Sequence, residues 1–357
     1  MNIKIHSSEL NRMMKTISQC IDSRFPSHSN IEVIWDNSLL SIRGTNGVFH
    51  GTVSTPLLGG DGESFCVDGA MFAKVCAMCS GEVEIRTDGK NCIIRGAGRT
   101  RLPIMNADIP KQARVTGKAV SVSAENLARC WNGVSYAVSS DQTTNRIQLT
   151  GVLTEVGYFG MRMVALDGFQ MSMETVACDG DEMKIIIPGT FMKLIVQGAA
   201  PGEDVTLRTD GTRIEASTDS MIVSAGLLTG EYPDYNRILP TAFKTECLID
   251  VNVLKDALKS GSVVNNKQNL VKIDVGEEEL KVMNNSEEAD YEADVPCITE
   301  GDTLKIAFNQ KYLMNTMNTV STDKAIIKFN NSVSPCIVQG KDMDGGIRLL
   351  LPVRTQG

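Results

Sequence analysis

Aromatic residues make up only 5% of this 357-residue chain, histidine occurs three times, and no apolar run is long. Apolar runs such as 185–188 and 349–352 fall far short of the roughly 20 residues that a membrane-crossing helix needs, so no membrane partner is expected. The opening residues MNIKIHSSEL contain no apolar signal core, which predicts a cytoplasmic protein. His6, His28 and His50 show no metal-ligand spacing, and the one close cysteine pair, Cys76 and Cys79, has no second pair nearby, so no metal is expected. The ten cysteines, scattered from Cys20 to Cys336, read as reduced core residues rather than a disulfide framework. There is no nucleophile elbow, no paired histidine and no His-Glu-x-x-His. GAGRTR at 96–101 lacks the third glycine of a phosphate loop, and KDMDGG at 341–346 lacks the spaced ligands of a calcium loop and reads as a turn. Asp167 in ALDGF fits an Asp-Gly turn better than a catalytic carboxylate. No acid, base and nucleophile assemble, so the chain reads as a non-enzyme with no cofactor.

What the sequence does contain is repetition. Hydrophobic content of 42% with 22% charge fits a folded protein, and this length predicts two or three domains. KIHSSELNRMMKTIS, SVSAENLARCWNGVS and LIDVNVLKDALKSG each read as a short strand, a capping Ser or Asp, then an amphipathic helix. Their buried stripes are Leu10, Met13, Met14, Ile17; Leu127, Cys130, Trp131, Val134; and Leu254, Ala257, Leu258, Gly261. A second helix follows an apolar strand in each copy, with stripes Phe72, Val75, Cys76, Cys79; Phe191, Leu194, Ile195, Gly198; and Leu313, Thr316, Met317, Val320. A hairpin then closes each copy, and TDGK and TDGT are tight-turn signals. Equivalent first-helix leucines lie 117 and 127 residues apart. The chain therefore divides into three similar α+β domains, 1–117, 118–243 and 244–357, with boundaries near 116–119 and 241–245.

Charge is unevenly placed. The chain carries −8, yet five of the six helical segments carry one net positive charge each and the sixth none, together +5. Arg12, Lys15, Lys74, Arg129, Lys193, Lys255, Lys259 and Lys311 read one by one as solvated faces. Because all three copies share the bias, these faces could join into one positive surface that meets phosphates without reading bases. GEYPDYNRILP at 230–240 is the other singular stretch: Pro233 fixes its own backbone and pushes Tyr232 toward extended geometry, so the loop is pinned.

These residues resemble a known family, the bacterial sliding clamps, beta subunits of DNA polymerase III. The most specific pieces are MVALDGFQMS at 163–172, GEYPDYNRILP at 230–240, IAFNQKYL at 306–313 and RLLLPVR at 348–354. The resemblance implies a DNA-clamp fold whose three domains each pack two helices on antiparallel sheets. It further implies a head-to-tail homodimeric ring around duplex DNA, with partners in the DNA polymerase III alpha subunit, the clamp loader and other proteins bearing a clamp-binding motif. In that family such a loop, the ALDGF-type turn and the C-terminal strand form a hydrophobic groove for a short peptide with a glutamine and bulky apolar side chains. Carried over, the groove is Leu149, Leu166, Gly168, Phe169, Gln170, Met171, Pro233, Arg237, Ile238, Asn309, Tyr312, Val333, Leu349, Leu351, Pro352, Val353 and Arg354. Arg24 matches a DNA-contacting position and Arg146 does so more loosely; Arg12, Lys15, Lys74 and Lys193 complete the expected DNA-facing set. Relatives usually carry a basic residue where Gln170 stands, and many stop before Thr355, Gln356 and Gly357, a tail that could shade the groove. Two alternatives stay open: a scaffold of the same fold that never encircles DNA, and a thiol enzyme acting through Cys76 and Cys79.

Overall fold

The computed structural model describes residues 2–36, 38–57, 64–96, 98–141, 146–264, 269–342 and 346–354. Thr355, Gln356 and Gly357, and the middle of the 341–346 turn, lie outside the described residues. The repeated pattern is present in each copy. The first helices are α1 (Ser7–Ile17), α3 (Ala124–Val134) and α5 (Val251–Gly261), and the second helices are α2 (Gly69–Ala77), α4 (Gly189–Gly198) and α6 (Gln310–Asn318). Each follows a strand directly, and the stripe leucines Leu10, Leu127, Leu254 and Leu313 are all buried.

Local chemistry sets the ends of these elements. Asp250 caps α5 by accepting from Asn252 and Val253 N–H, and Ser123 Oγ accepts from Asn126 N–H at the start of α3. In the first copy the cap is His6, not one of the serines that follow it: its ring Nδ1 accepts from Ser8 N–H at 3.3 Å. A serine was expected there, but the strand runs through His6, so the imidazole holds the Ncap position and Ser7 is already helical. The two TDG turns share one mechanism. Asp88 Oδ1 accepts from Lys90 and Asn91 N–H, Asp210 Oδ1 accepts from Thr212 and Arg213 N–H, and the glycines between them take φ of +85° and +90°. No side chain larger than glycine adopts that backbone readily.

Contacts group the chain into two compact units, Met1–Ala128 with Cys178–Leu228, and Arg129–Ala177 with Thr229–Gly357. The first contains a four-stranded sheet (2–6, 82–87, 91–95, 99–103) and a nine-stranded sheet in which Met221–Gly226 pairs antiparallel with Phe49–Pro56. Strands from two repeats are thereby stitched into one sheet, with α1, α2 and α4 packed in the same unit. Glycines let helix and sheet approach here: a Cβ on Gly51 would lie 2.7 Å from Cys20 Sγ, and one on Gly198 would lie 2.4 Å from Met221 Sδ.

The second unit has the corresponding stitch. Gln170–Val176 pairs antiparallel with Ile347–Leu350, the last strand, which in turn pairs with Cys336–Gly340. The sheet continues through 324–329, 245–250 and the long strand Asp290–Gly301, which bends from one partner, Thr245–Asp250, to another, Glu279–Asn285. α5 and α6 pack together over it, and the core comprises Cys247, Ile249, Leu258, Ile273, Phe308, Leu313, Met317, Phe329 and their neighbours.

Candidate functional site

The pinned loop at 230–240 is held by its tyrosines. Tyr232 is buried; its hydroxyl accepts from Leu166 N–H at 3.2 Å and donates to Val164 O at 3.3 Å. Tyr235 donates to Glu155 Oε2 at 2.6 Å and accepts from Arg162 Nη1. Burial pushes both phenols up from their ordinary range, so they stay neutral donors. Gln148 Nε2 adds a bond to Glu231 O. With the tyrosines turned inward, Pro233 is half-buried while Arg237 and Ile238 face solvent, and Arg237 pairs with Asp234 at 3.2 Å. The two tyrosines act as pegs, a role the loop's composition hinted at without assigning.

The ALDGF stretch is the Asp-Gly turn expected of it. Asp167 Oδ1 accepts from Phe169 and Gln170 N–H at 2.9 and 3.0 Å, and Gly168 takes φ of +94°. Its carboxylate is therefore occupied in shaping the turn. The turn lifts Phe169 to 57% exposure, where its ring stacks on Tyr312 at 5.8 Å between centroids. Tyr312 is placed by α6, whose first turn is capped by Asn309 Oδ1 accepting from Lys311 and Tyr312 N–H.

The chain end completes the arrangement. Leu351 N–H donates to Phe169 O at 2.9 Å, and Val353 N–H donates to Ala307 O at 2.8 Å, which ties the last residues to the turn and to the strand before α6. Leu149, Leu166, Met171 and Leu349 are buried beneath, Leu351 and Pro352 are half-buried, and Val353 and Arg354 are exposed. Val333 is exposed in the turn before Cys336–Gly340. Gln170 departs from the expected lining. It is 3% exposed and its Nε2 donates to Tyr136 O and Asp167 Oδ2, because strand alternation sends it to the face opposite Phe169 and Met171.

Among the expected DNA-facing cations, Lys15, Lys74 and Lys193 are exposed, as is Arg146. Arg24 projects from the loop between α1 and the strand at 30–36 and is gripped by Asp22, Nη2 to Oδ2 at 2.7 Å; hydrogen bonds from the Arg24 side chain, then from its backbone N–H, hold the Asp22 carboxyl down to about 2. Arg12 is more committed than expected. It pairs with Glu9 at 3.1 Å and donates to Ser220 Oγ, so its charge is partly spent within the protein. In the other unit, Lys255, Lys259 and Lys311 line a cavity of about 560 Å³ between α5 and α6, together with Asn315 and Asn318 and the acid Asp256. Counting charges identified the lysines but could not show the cavity, which depends on how two helices pack.

Cys76 is buried and Cys79 half-buried, and burial pushes both thiols up, away from the thiolate form that a nucleophile needs. The described residues include no group of three or more His, Cys, Asp or Glu able to hold a metal ion. These features define a class of fold: repeated strand–helix units joined at sheet seams, with an apolar opening at one seam and cations on separate helix faces.

Comparison with known proteins gives that class a family. Residues 121–234 match the DNA polymerase III beta subunit, central domain, and residues 236–354 match its C-terminal domain. The chain belongs to the DNA polymerase III beta subunit family. It is 22% identical to the beta sliding clamp of Vibrio cholerae and 24% identical to that of Pseudomonas aeruginosa, each alignment covering 99% of this chain and 100% of the relative. Among solved structures, the DNA polymerase III beta subunit of Thermotoga maritima superposes with a TM-score of 0.89 at 23% identity. A Pseudomonas aeruginosa clamp bound to griselimycin superposes with 0.92 at 22%, each over 99% of this chain and all of the other. The α+β clamp fold expected from the motifs is the fold found.

Proposed function

We propose that this chain is a replicative sliding clamp whose three domains, 1–117, 118–243 and 244–357, form half of a head-to-tail homodimeric ring around duplex DNA. It holds the DNA polymerase III alpha subunit, the clamp loader and other partners by their short binding peptides. Family membership supports the clamp activity, and the alternative of a scaffold that never encircles DNA is not favoured by it. The action is topological and not catalytic. Lys15, Lys74, Lys193, Arg24 and Arg146 meet the phosphate backbone without reading sequence, and the acidic remainder of the chain keeps off DNA elsewhere. No helix of the described residues is long and apolar enough to cross a membrane, and the cytoplasm is the compartment where such a clamp meets its template.

The observation that carries the peptide reading is the meeting of Phe169, Tyr312, Leu351 and Val353 over a floor of buried leucines. An apolar pocket with a few polar guides is what an anchored peptide requires. The test is a fluorescence titration of a labelled peptide (glutamine, leucine, then an apolar pair ending in phenylalanine) against the full chain and a chain ending at Leu351. Saturable binding to the first and loss in the second is expected. Absence of binding to the full chain would sink the groove assignment, and retention on circular DNA that ends on linearisation tests the ring independently.

A further inference from the structure

On the hidden side of the groove's seam lies an ion pair that peptide binding does not use. Arg348 Nη2 sits 2.6 Å from Glu174 Oε1, with the two side chains 1% and 2% exposed. The seam aligns Ser172 opposite Arg348 and Met171 opposite Leu349. Since side chains alternate across a strand, Gln170, Ser172, Glu174 and Arg348 share one face while Met171, Met173 and Leu349 share the other. On the first face Arg348 also donates from Nε to Thr319 Oγ1 at 2.7 Å and from Nη2 to Thr319 O at 2.8 Å, and Ser172 Oγ donates to Gly133 O at 2.7 Å. Space is kept for the pair by two glycines: a Cβ on Gly133 would lie 2.4 Å from Glu174 Cγ, and one on Gly346 would lie 2.7 Å from Glu174 Oε1.

As a stabilising device this pair is poorly built. Both charges are withdrawn from water, yet Glu174 Oε2 and Arg348 Nη1 have no hydrogen-bond partner among the described residues. Burying two charges returns its desolvation penalty only when geometry and satisfaction are excellent, and the best-attested value of such groups is in fixing register. The leucine run gives the last strand little register of its own. The strand runs only Ile347–Leu350 and continues into Leu351, so three leucines in succession, Leu349, Leu350 and Leu351, present the same apolar surface to both faces. A slip by one residue that brings Leu351 into the ladder would exchange leucine for leucine opposite Gln170 and Met171, while sending every side chain to the opposite face. Arg348 marks the native register most sharply among the side chains of this strand, because a slip takes it away from Glu174 and Thr319 to the apolar face.

We infer that Glu174 and Arg348 are a positioning pair that locks the register of the C-terminal strand and so holds Leu349, Leu351, Pro352 and Val353 in place as one wall of the groove. This rests on the peptide reading of that wall. The test uses the full chain with E174Q, R348M and the double variant E174M/R348M, and reads three quantities: affinity for the labelled peptide, unfolding temperature, and amide exchange at residues 347–353. The expected result is a tenfold or greater loss of affinity in each single variant, with exchange at 347–353 accelerated at least tenfold while the strands at 245–250 and 324–329 keep their protection. The double variant, which leaves no orphaned charge, recovers unfolding temperature but neither affinity nor local protection, a split that a merely structural pair would not produce. Single variants that keep both affinity and protection, or a double variant that regains all three quantities, would overturn the inference. Should R348M fail to fold, E174Q and the double variant still decide it. Should the unaltered chain not bind peptide, the groove reading fails, while exchange at 347–353 still judges the pair.

Discussion

Each compact unit contains one seam where strands of two different repeats pair, and the two seams are built differently. In the first, Met221–Gly226 against Phe49–Pro56, five residue pairs join the strands, and glycines at 44 and 51 admit the apolar side chains of Ile17, Cys20 and Ile21. In the second, Gln170–Val176 against Ile347–Leu350, four residue pairs suffice, and glycines at 133 and 346 admit a carboxylate and a guanidinium. The same repeat geometry thus yields an apolar joint in one place and, in the function proposed above, the wall of a peptide groove in the other. What differs is what reaches the seam: in the second unit the chain end, the Asp167 turn and the Tyr232 loop all converge on it.

The sharpest separation of the two seams comes from Phe191 on α4, which is fully buried and lies 5.4 Å from the Phe49 ring at the first seam. F191A is expected to lower stability by about 3–5 kcal/mol through the cavity it leaves, while the folded protein keeps its peptide affinity. Denaturant unfolding and the peptide titration, run side by side, check it; a parallel loss of peptide affinity would mean that the seams are not independent. The second seam answers in the reverse sense. F169A removes a ring that is largely solvent-exposed, so stability should hold within about 0.5 kcal/mol, while affinity for the peptide falls roughly tenfold because an aromatic anchor is lost. Unchanged affinity would remove Phe169 from the groove.

How much of this was legible in the sequence divides along the same line. Helical stripes and tight turns depend on residues close in the chain, and Leu10, Leu127 and Leu254 are buried as their spacing implied. The groove residues were legible only through family motifs, since no local rule brings Phe169 to Tyr312 or Leu351. Gln170 shows the limit: its neighbours in the motif face the opening, and period-two alternation turns it inward to Tyr136 O. The Glu174–Arg348 pair left no trace in the sequence, because a lone acid in METV and a lone base in GIRLL look like surface residues until the strands are paired. His6 as a helix cap was missed for a related reason, since imidazole is an uncommon cap and two serines stood beside it.

Within the second seam, the pegs should matter less than the anchor. Y232F keeps the buried ring and removes a hydroxyl that bonds Leu166 N–H and Val164 O. Loss of such bonds amounts to about 1 kcal/mol, so peptide affinity should fall about fivefold at most, through a looser loop at 230–240. A loss as large as that of F169A would promote Tyr232 from peg to contact residue.

The smallest effect lies away from both seams, at Asp22 and Arg24. Because the folded protein holds the Asp22 carboxyl below its ordinary range, at about 2, the grip on Arg24 adds stability that is fully present above the carboxyl's unfolded value and lost as pH falls through the folded one. The window therefore runs from near 4 down to about 2, well below the range in which a clamp would work. At neutral pH the grip is intact, and its consequence is geometric: Asp22 holds Arg24 in one pose while leaving its side chain 81% exposed, as the proposed phosphate contact requires. D22N should leave overall stability nearly unchanged and retention on circular DNA only slightly weakened, because an exposed pair contributes little and one phosphate contact among several is softened, not removed. A carbon-detected titration of the Asp22 carboxyl checks the first half of this argument, and a midpoint near 4 would dissolve it; the salt dependence of DNA retention in D22N checks the second.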